Sequence, residues 1–206
     1  MRERVSPELI VTGAVGSYLI GSCWIILLLT VVFSSANSDQ SLNFFMTVGV
    51  GVGLISVLLW VGGCICEGIG WIGMRRLHPG VAGFIGWTTA TLPATYFLLL
   101  MTGAAGLESG VIHLLVIIQL TLYLSTLVFL FGRKGDRSRT LPAIVGFVIA
   151  ILGILGFYVL ALSERFMAGN IVFLFIALSG MAIGHLALGS YFKYAANVAR
   201  ELDVFR

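Results

Sequence analysis

Six long apolar runs, separated by short polar segments, make up most of this chain. They cover residues 9–33, 44–73, 81–101, 111–131, 141–162 and 171–192. A helix needs about 20 mostly apolar residues to cross the roughly 30 Å hydrocarbon core of a bilayer. The pattern therefore predicts an all-α, polytopic membrane bundle of six transmembrane helices, with residues 1–206 forming a single transmembrane domain. The second run would be about 45 Å long as one helix, so we expect it to tilt, protrude or break.

The composition supports lipid as the main solvent of the chain. Charged residues are 10% of the sequence, hydrophobic residues are 59%, and the mean hydropathy is +1.06. A soluble domain has about 25% charged residues, so this chain has too few to cover a globule. The net charge of +3 gives no indication of a nucleic-acid partner. The three cysteines all lie within apolar runs, which argues against a disulfide framework.

The basic residues predict how the chain is oriented. If the N-terminus is cytoplasmic, eleven of the twelve Lys and Arg residues fall on the cytoplasmic side, and only Arg165 falls on the other. Short loops with such a bias determine membrane topology. We therefore expect both termini in the cytoplasm and the chain in the bacterial inner (plasma) membrane. Residues 193–206 repeat apolar positions at helical spacing, which predicts an amphipathic cytoplasmic tail.

Glu67 is the acidic residue with the most apolar surroundings, and a carboxylate at membrane depth usually has a partner. It precedes Arg75 by eight residues, as His185 precedes Lys193. Both helices run toward the cytoplasm, so each side chain lies about 12 Å from the first basic residue. One hypothesis is a Glu67–His185 pair inside the bundle. In the alternative, Glu67 lies at the headgroup boundary among water and arginines, and His185 is a buried histidine bound to one neighbour.

Other polar and small residues recur at helical spacing. Two interpretations fit the polar ones: they line a narrow polar route, or their hydroxyls bond carbonyls of their own helix. Glycines four residues apart predict close helix packing. The polar candidates are Thr88, Thr91 and Thr95 on the third span and Gln119 and Tyr123 on the fourth, and the packing candidates are Gly49, Gly53, Gly180 and Gly184.

The spacing of the reactive residues argues against enzyme, metal and haem sites. Cys64 and Cys66 are two apart on a helix and face nearly opposite ways. His113 and His185 differ in depth by roughly 15–20 Å, too much for one haem iron. The sequence also lacks a Cys-x-x-Cys pair, an Asp-x-x-Asp pair and a phosphate-binding loop. We therefore predict no catalytic residue, no metal ligand and no cofactor.

Three classes of function are compatible with these features. The first is a non-catalytic integral membrane protein that acts as a subunit, scaffold or assembly factor, with the lipid bilayer, other membrane subunits or a second copy as partners. The alternative is a small channel or proton-linked secondary transporter with Glu67 and His185 as its polar centre. A membrane enzyme or b-type cytochrome is the least favoured class.

Overall fold

The computed structural model describes residues 6–36, 50–76, 81–101, 111–131, 137–162 and 168–204. Over these ranges the chain is all-helical, as predicted. The long helices are α1 (Pro7–Ala36), α2 (Val50–Gly73), α3 (Val81–Met101), α4 (Val111–Phe131), α5 (Arg137–Leu162) and α6 (Ala168–Val204). A short 3-10 turn, Met74–Arg76, follows α2.

Four segments of the described helices are long and apolar enough to cross a membrane. They are Pro7–Phe33, Gly51–Gly73, Arg137–Val159 and Ile171–Glu201. By length and composition, this makes the chain a membrane protein. The apolar stretch described within α4, Val116–Val128, is shorter. Residues 44–49 of the long second run lie outside the described ranges.

The ends of α5 and α6 that carry basic residues extend beyond their apolar runs. α5 starts at Arg137 rather than at 141, so Pro142 lies inside the helix. Arg139 of this added turn lies over the Tyr194 ring, 4.1 Å from its centroid, and such a cation–π contact favours an ordered turn. α6 continues to Val204, and Ala195, Ala196 and Ala199 on this extension are buried. The inner face of the tail therefore packs on its own bundle.

Small residues bring the helices of two antiparallel pairs into close contact. Between α1 and α2, a Cβ added to Gly73 would lie 2.8 Å from Leu9 Cβ, and one added to Gly13 would lie 2.5 Å from Gly70 Cα. Between α5 and α6, a Cβ on Gly153 would lie 2.7 Å from Ala177 Cα. Such distances are far below ordinary carbon–carbon contact, so only residues without a Cβ allow this approach.

The bundle is filled on one side of Glu67. Toward the end that carries Arg75 and Lys193, the interior holds fully buried large side chains. Trp71 stacks on Tyr123 at 6.3 Å and meets Phe192 edge-on at 5.0 Å. Offset and edge-to-face aromatic pairs of this kind make a well-ordered core. The opposite side of Glu67 contains a cavity.

Candidate functional site

Glu67 on α2 is fully buried and accepts hydrogen bonds from three other helices. Ser17 Oγ on α1 donates to Oε2 at 2.6 Å, and Tyr123 Oη on α4 donates to Oε1 at 2.5 Å. His185 Nδ1 on α6 lies 3.1 Å from Oε2. A carboxylate only accepts hydrogen bonds, so the Nδ1 hydrogen must point toward it. The structure thus brings together Glu67, His185 and Tyr123, and adds Ser17.

A second set of polar groups extends the cluster to α3. Gln119 Nε2 donates to Thr89 Oγ1 at 2.7 Å, and Thr89 Oγ1 lies 3.0 Å from Tyr123 Oη. The single hydroxyl proton of Tyr123 is given to Glu67, so Thr89 donates to the Tyr123 oxygen. The hydrogen bonds therefore run in one direction, from Gln119 through Thr89 and Tyr123 to the carboxylate. We call these six residues, Ser17, Glu67, Thr89, Gln119, Tyr123 and His185, the glutamate cluster.

Close backbone packing and aromatic rings hold the cluster in place. A Cβ on Gly16 would lie 2.6 Å from Gly63 O, so α1 approaches α2 closely enough for the short Ser17 side chain to reach Glu67. The His185 ring is edge-on to Phe147 at 5.1 Å and to Tyr123 at 5.8 Å. These rings restrict the imidazole to the orientation that directs Nδ1 toward Glu67.

The enclosure of Glu67 allows a carboxylate to exist at this depth. Removing a charge from water is expensive unless it is paired and hydrogen-bonded. Here both oxygens have protein donors, and His185 supplies an ion pair when it is protonated. Breaking such a buried arrangement by removing one partner is destabilising, because the remaining group stays buried without compensation. The cluster therefore links α1, α2, α3, α4 and α6.

A cavity of about 620 Å³ begins at the cluster and extends away from the filled side. On α1 and α3, the residues that line it come after Ser17 and Thr89 in the sequence, and on α2 they come before Glu67. On α4 and α6 they end at Tyr123 and His185. Together with Gln119, these last two side chains form the polar floor of the cavity, and most of the wall is apolar.

The threonine stripe predicted on α3 is not part of the cluster. Thr88 donates to the Ile85 carbonyl at 3.0 Å and Thr91 donates to the Trp87 carbonyl at 2.8 Å. Thr95 donates to the Thr91 carbonyl at 3.1 Å. This geometry matches the interpretation in which the hydroxyls bond their own helix. The α3 hydroxyl that joins the cluster is Thr89, one residue from the stripe.

The predicted packing glycines that the structure describes lie in two different settings. Gly180 and Gly184 contact α5, and a Cβ on Gly180 would lie 2.8 Å from Ala150 Cα. Gly53 lines the cavity, and a Cβ there would meet nothing within 4 Å. Gly49 lies outside the described residues.

Sequence reasoning missed Ser17 and Thr89. The dipeptide Gly16-Ser17 offers a small residue beside a hydroxyl, which is typical of close membrane-helix contacts. That signal recurs along this glycine-rich chain and does not identify a partner. In the part of the chain that the structure describes, no three His, Cys, Asp or Glu residues lie close enough together to hold a metal ion.

Comparisons with family models, curated proteins and solved structures found no match to this chain.

Proposed function

We propose that this chain is a six-span protein of the bacterial inner membrane with both termini in the cytoplasm. The six apolar runs, the basic residues collected at one end and the antiparallel registers of α1 with α2 and of α5 with α6 support this arrangement. An even number of spans returns the chain to the side on which it started, as the positive-inside rule requires for these basic segments.

Within that membrane, the proposed role is non-catalytic, as a subunit, scaffold or assembly factor. The observation that carries it is the enclosure of Glu67, which is 0% exposed and has both oxygens bound by donors of its own chain. A carboxylate that transfers protons or binds a substrate needs water or the substrate within hydrogen-bond reach. Glu67 instead has the environment of a residue that fixes how helices pack.

A face of α2 offers a place for a partner helix. That face carries four residues at helical spacing: Gly51, Ile55, Leu58 and Gly62. Ile55 and Leu58 are more than half exposed, and a Cβ on either glycine would meet nothing within 4 Å among the described residues. Apart from Gly53 in the cavity, most other glycines of the described bundle lie against a neighbouring helix, and small residues in membranes serve such contacts. We assign this face to a transmembrane helix of another subunit.

The test is cross-linking in native membranes, followed by purification in mild detergent and identification of the attached protein. We expect Gly62→Leu to abolish the attachment, because the new side chain occupies the space of the partner helix. Val159→Leu, at an exposed position on α5, should retain it. A cross-linked homodimer would identify a second copy as the partner. An unchanged set of attached proteins in Gly62→Leu would contradict the assignment.

A proton-linked transporter is the second candidate, and the cavity favours it. His185 and Tyr123 line the cavity and also contact Glu67, so an occupant would lie next to the buried pair. The mostly apolar wall restricts this role to apolar solutes. A pH-dependent flux into vesicles that is lost in Glu67→Gln, with the fold retained, would establish this function and displace the first.

A further inference from the structure

The cavity has the size and lining of a small-molecule site. Its volume of about 620 Å³ falls within the roughly 300–1,000 Å³ typical of ligand pockets, which are mostly apolar with a few polar groups. Its wall carries Ile20, Leu27, Leu92 and Leu174. Water is a poor occupant of such a wall because it needs several polar partners. An apolar body fits it.

Four polar side chains around the cavity have an atom with no hydrogen-bond partner among the described residues. Ser56 Oγ and Trp24 Nε1 are buried and unpaired in the wall. On the floor, Gln119 uses its amide nitrogen and His185 uses Nδ1, which leaves Gln119 Oε1 and His185 Nε2 without a described partner. Both of these side chains are more than nine-tenths buried. Because buried polar groups are nearly always paired, these atoms point to an occupant with a polar group of its own.

The polar group of that occupant should be neutral. Among the described residues that line the cavity there is no Lys, Arg, Asp or Glu. A charged ligand would therefore be buried without a free counter-ion, because His185 is already paired with Glu67, and its desolvation cost would be high. Glu67 offers no such partner, because its oxygens are already bound by Ser17, Tyr123 and His185.

The floor further requires a group that can donate a hydrogen bond. Gln119 Oε1 only accepts hydrogen bonds, whereas His185 Nε2 accepts or donates according to the protonation of the ring. A hydroxyl group donates its one proton to Gln119 Oε1 in either case, and its oxygen accepts from His185 Nε2 when that nitrogen carries a hydrogen. An ether or a ketone donates nothing to Gln119.

The cavity reaches the outer surface of the bundle between α2 and α3. Val57 and Phe97 line it, and each is 57% exposed. Both side chains are apolar and lie within long apolar runs, so this opening faces hydrocarbon. An occupant therefore enters from the lipid.

We propose that the cavity binds a lipid-soluble alcohol, an apolar molecule with one hydroxyl group. The apolar body occupies the wall, and the hydroxyl donates to Gln119 Oε1 beside His185. This site is separate from the partner face of α2 and stands whether or not that face binds a helix.

The test uses the full chain in phosphatidylcholine vesicles and a diazirine-bearing, radiolabelled hexadecanol as photoaffinity probe. Labelled peptides should map to the cavity segments of α2, α3 and α6. Unlabelled hexadecanol should compete about tenfold better than its methyl ether or hexadecane, because only the alcohol donates a hydrogen bond to the floor.

Two variants with matched controls locate the site. Gly53→Phe should abolish labelling, since its Cβ meets nothing within 4 Å and the ring fills the cavity. Leu152→Phe, at an exposed position outside the cavity, should label like the wild type. Gln119→Leu should remove the preference for alcohol over ether. Thr121→Val should keep it, since the Thr121 hydroxyl donates to the Ile117 carbonyl of its own helix.

Either of two results would overturn the proposal. Equal competition by alcohol, ether and hydrocarbon in the wild type would mean that no hydroxyl is recognised. Undiminished labelling of folded Gly53→Phe would mean that the probe binds outside the cavity. Circular dichroism and size-exclusion chromatography of each variant establish that it is folded.

Discussion

At the scale of single residues, the structure depends on how Glu67 is compensated. Three donors from three helices converge on one carboxylate, and one of them, His185, can carry the opposite charge. In a membrane interior neither water nor a distant ion replaces a missing donor. Each donor therefore contributes to helix packing as well as to the local hydrogen bonding.

Glu67 and His185 should be energetically coupled. Glu67→Gln and His185→Ala are each expected to lower stability, and the double variant should lose less than the sum of the two. Interhelical polar contacts in membranes suggest a coupling of about 0.5–2 kcal/mol. A double-mutant cycle of unfolding in detergent measures it. The control cycle, Glu67→Gln with Thr121→Val, should be additive within about 0.5 kcal/mol. Additivity in both cycles would contradict the coupling.

Ser17 should matter more than a serine that bonds its own helix. Ser17→Ala removes one of two donors to Oε2 and should cost about 0.5–1.5 kcal/mol. Ser125 donates to the Thr121 carbonyl in its own helix and is exposed, so Ser125→Ala should be nearly neutral. Thermal unfolding of the two variants in the same detergent compares them. Equal effects would show that the Ser17 contact contributes nothing specific.

Depth within the bundle could be predicted from the sequence, but rotation about each helix axis could not. Glu67 precedes Arg75 by as many residues as His185 precedes Lys193, which predicts that the two side chains lie at the same depth. In the structure, His185 Nδ1 and Glu67 Oε2 are 3.1 Å apart. Thr88 and Thr89 differ by only 100° of rotation, yet Thr89 faces the cluster and Thr88 bonds its own helix. That rotation follows from packing against neighbouring helices, and a glycine-rich sequence leaves it undetermined.

At the scale of elements, glycines fix the distance between paired helices. Apolar runs alone predict helices, whereas the contacts of Gly146, Gly180 and Gly184 determine which helix lies against which. The ends of helices were harder to predict than their existence. α5 begins before its apolar run because Arg139 stacks on Tyr194, a contact between residues far apart in sequence.

Matched glycine substitutions should separate packing positions from open ones. A Cβ on Gly146 would lie 2.7 Å from Gly184 Cα, so Gly146→Ala must push α5 away from α6. Overpacking of this kind costs about 1–3 kcal/mol. Gly62→Ala, where the added methyl meets nothing within 4 Å, should change the stability of the purified chain by less than about 0.5 kcal/mol. The unfolding midpoints of the two variants in detergent test this prediction. An equal loss of stability in both variants would contradict the role of the α5–α6 contact.

At the scale of the whole molecule, the bundle has two unlike halves. The half near Arg75 and Lys193 is filled by buried aromatic and aliphatic side chains, and the other half encloses the cavity. The glutamate cluster separates them. This division suits a protein that is rigid at its basic end and accommodates another molecule at the opposite end. Composition does not indicate this division, because it does not record where along a helix or on which face a side chain lies.

The orientation of these halves leads to a prediction for intact cells. If six spans place the basic segments in the cytoplasm, tags at both termini should be protected from external protease. Cysteines introduced as Ser38→Cys and Ala105→Cys should react with a membrane-impermeant maleimide, whereas His78→Cys and Ser138→Cys should react only after permeabilisation. The native chain is the control for the background reaction of its own cysteines, of which Cys23 and Cys64 are buried and Cys66 is partly buried. Tags on opposite sides of the membrane would require an odd number of spans.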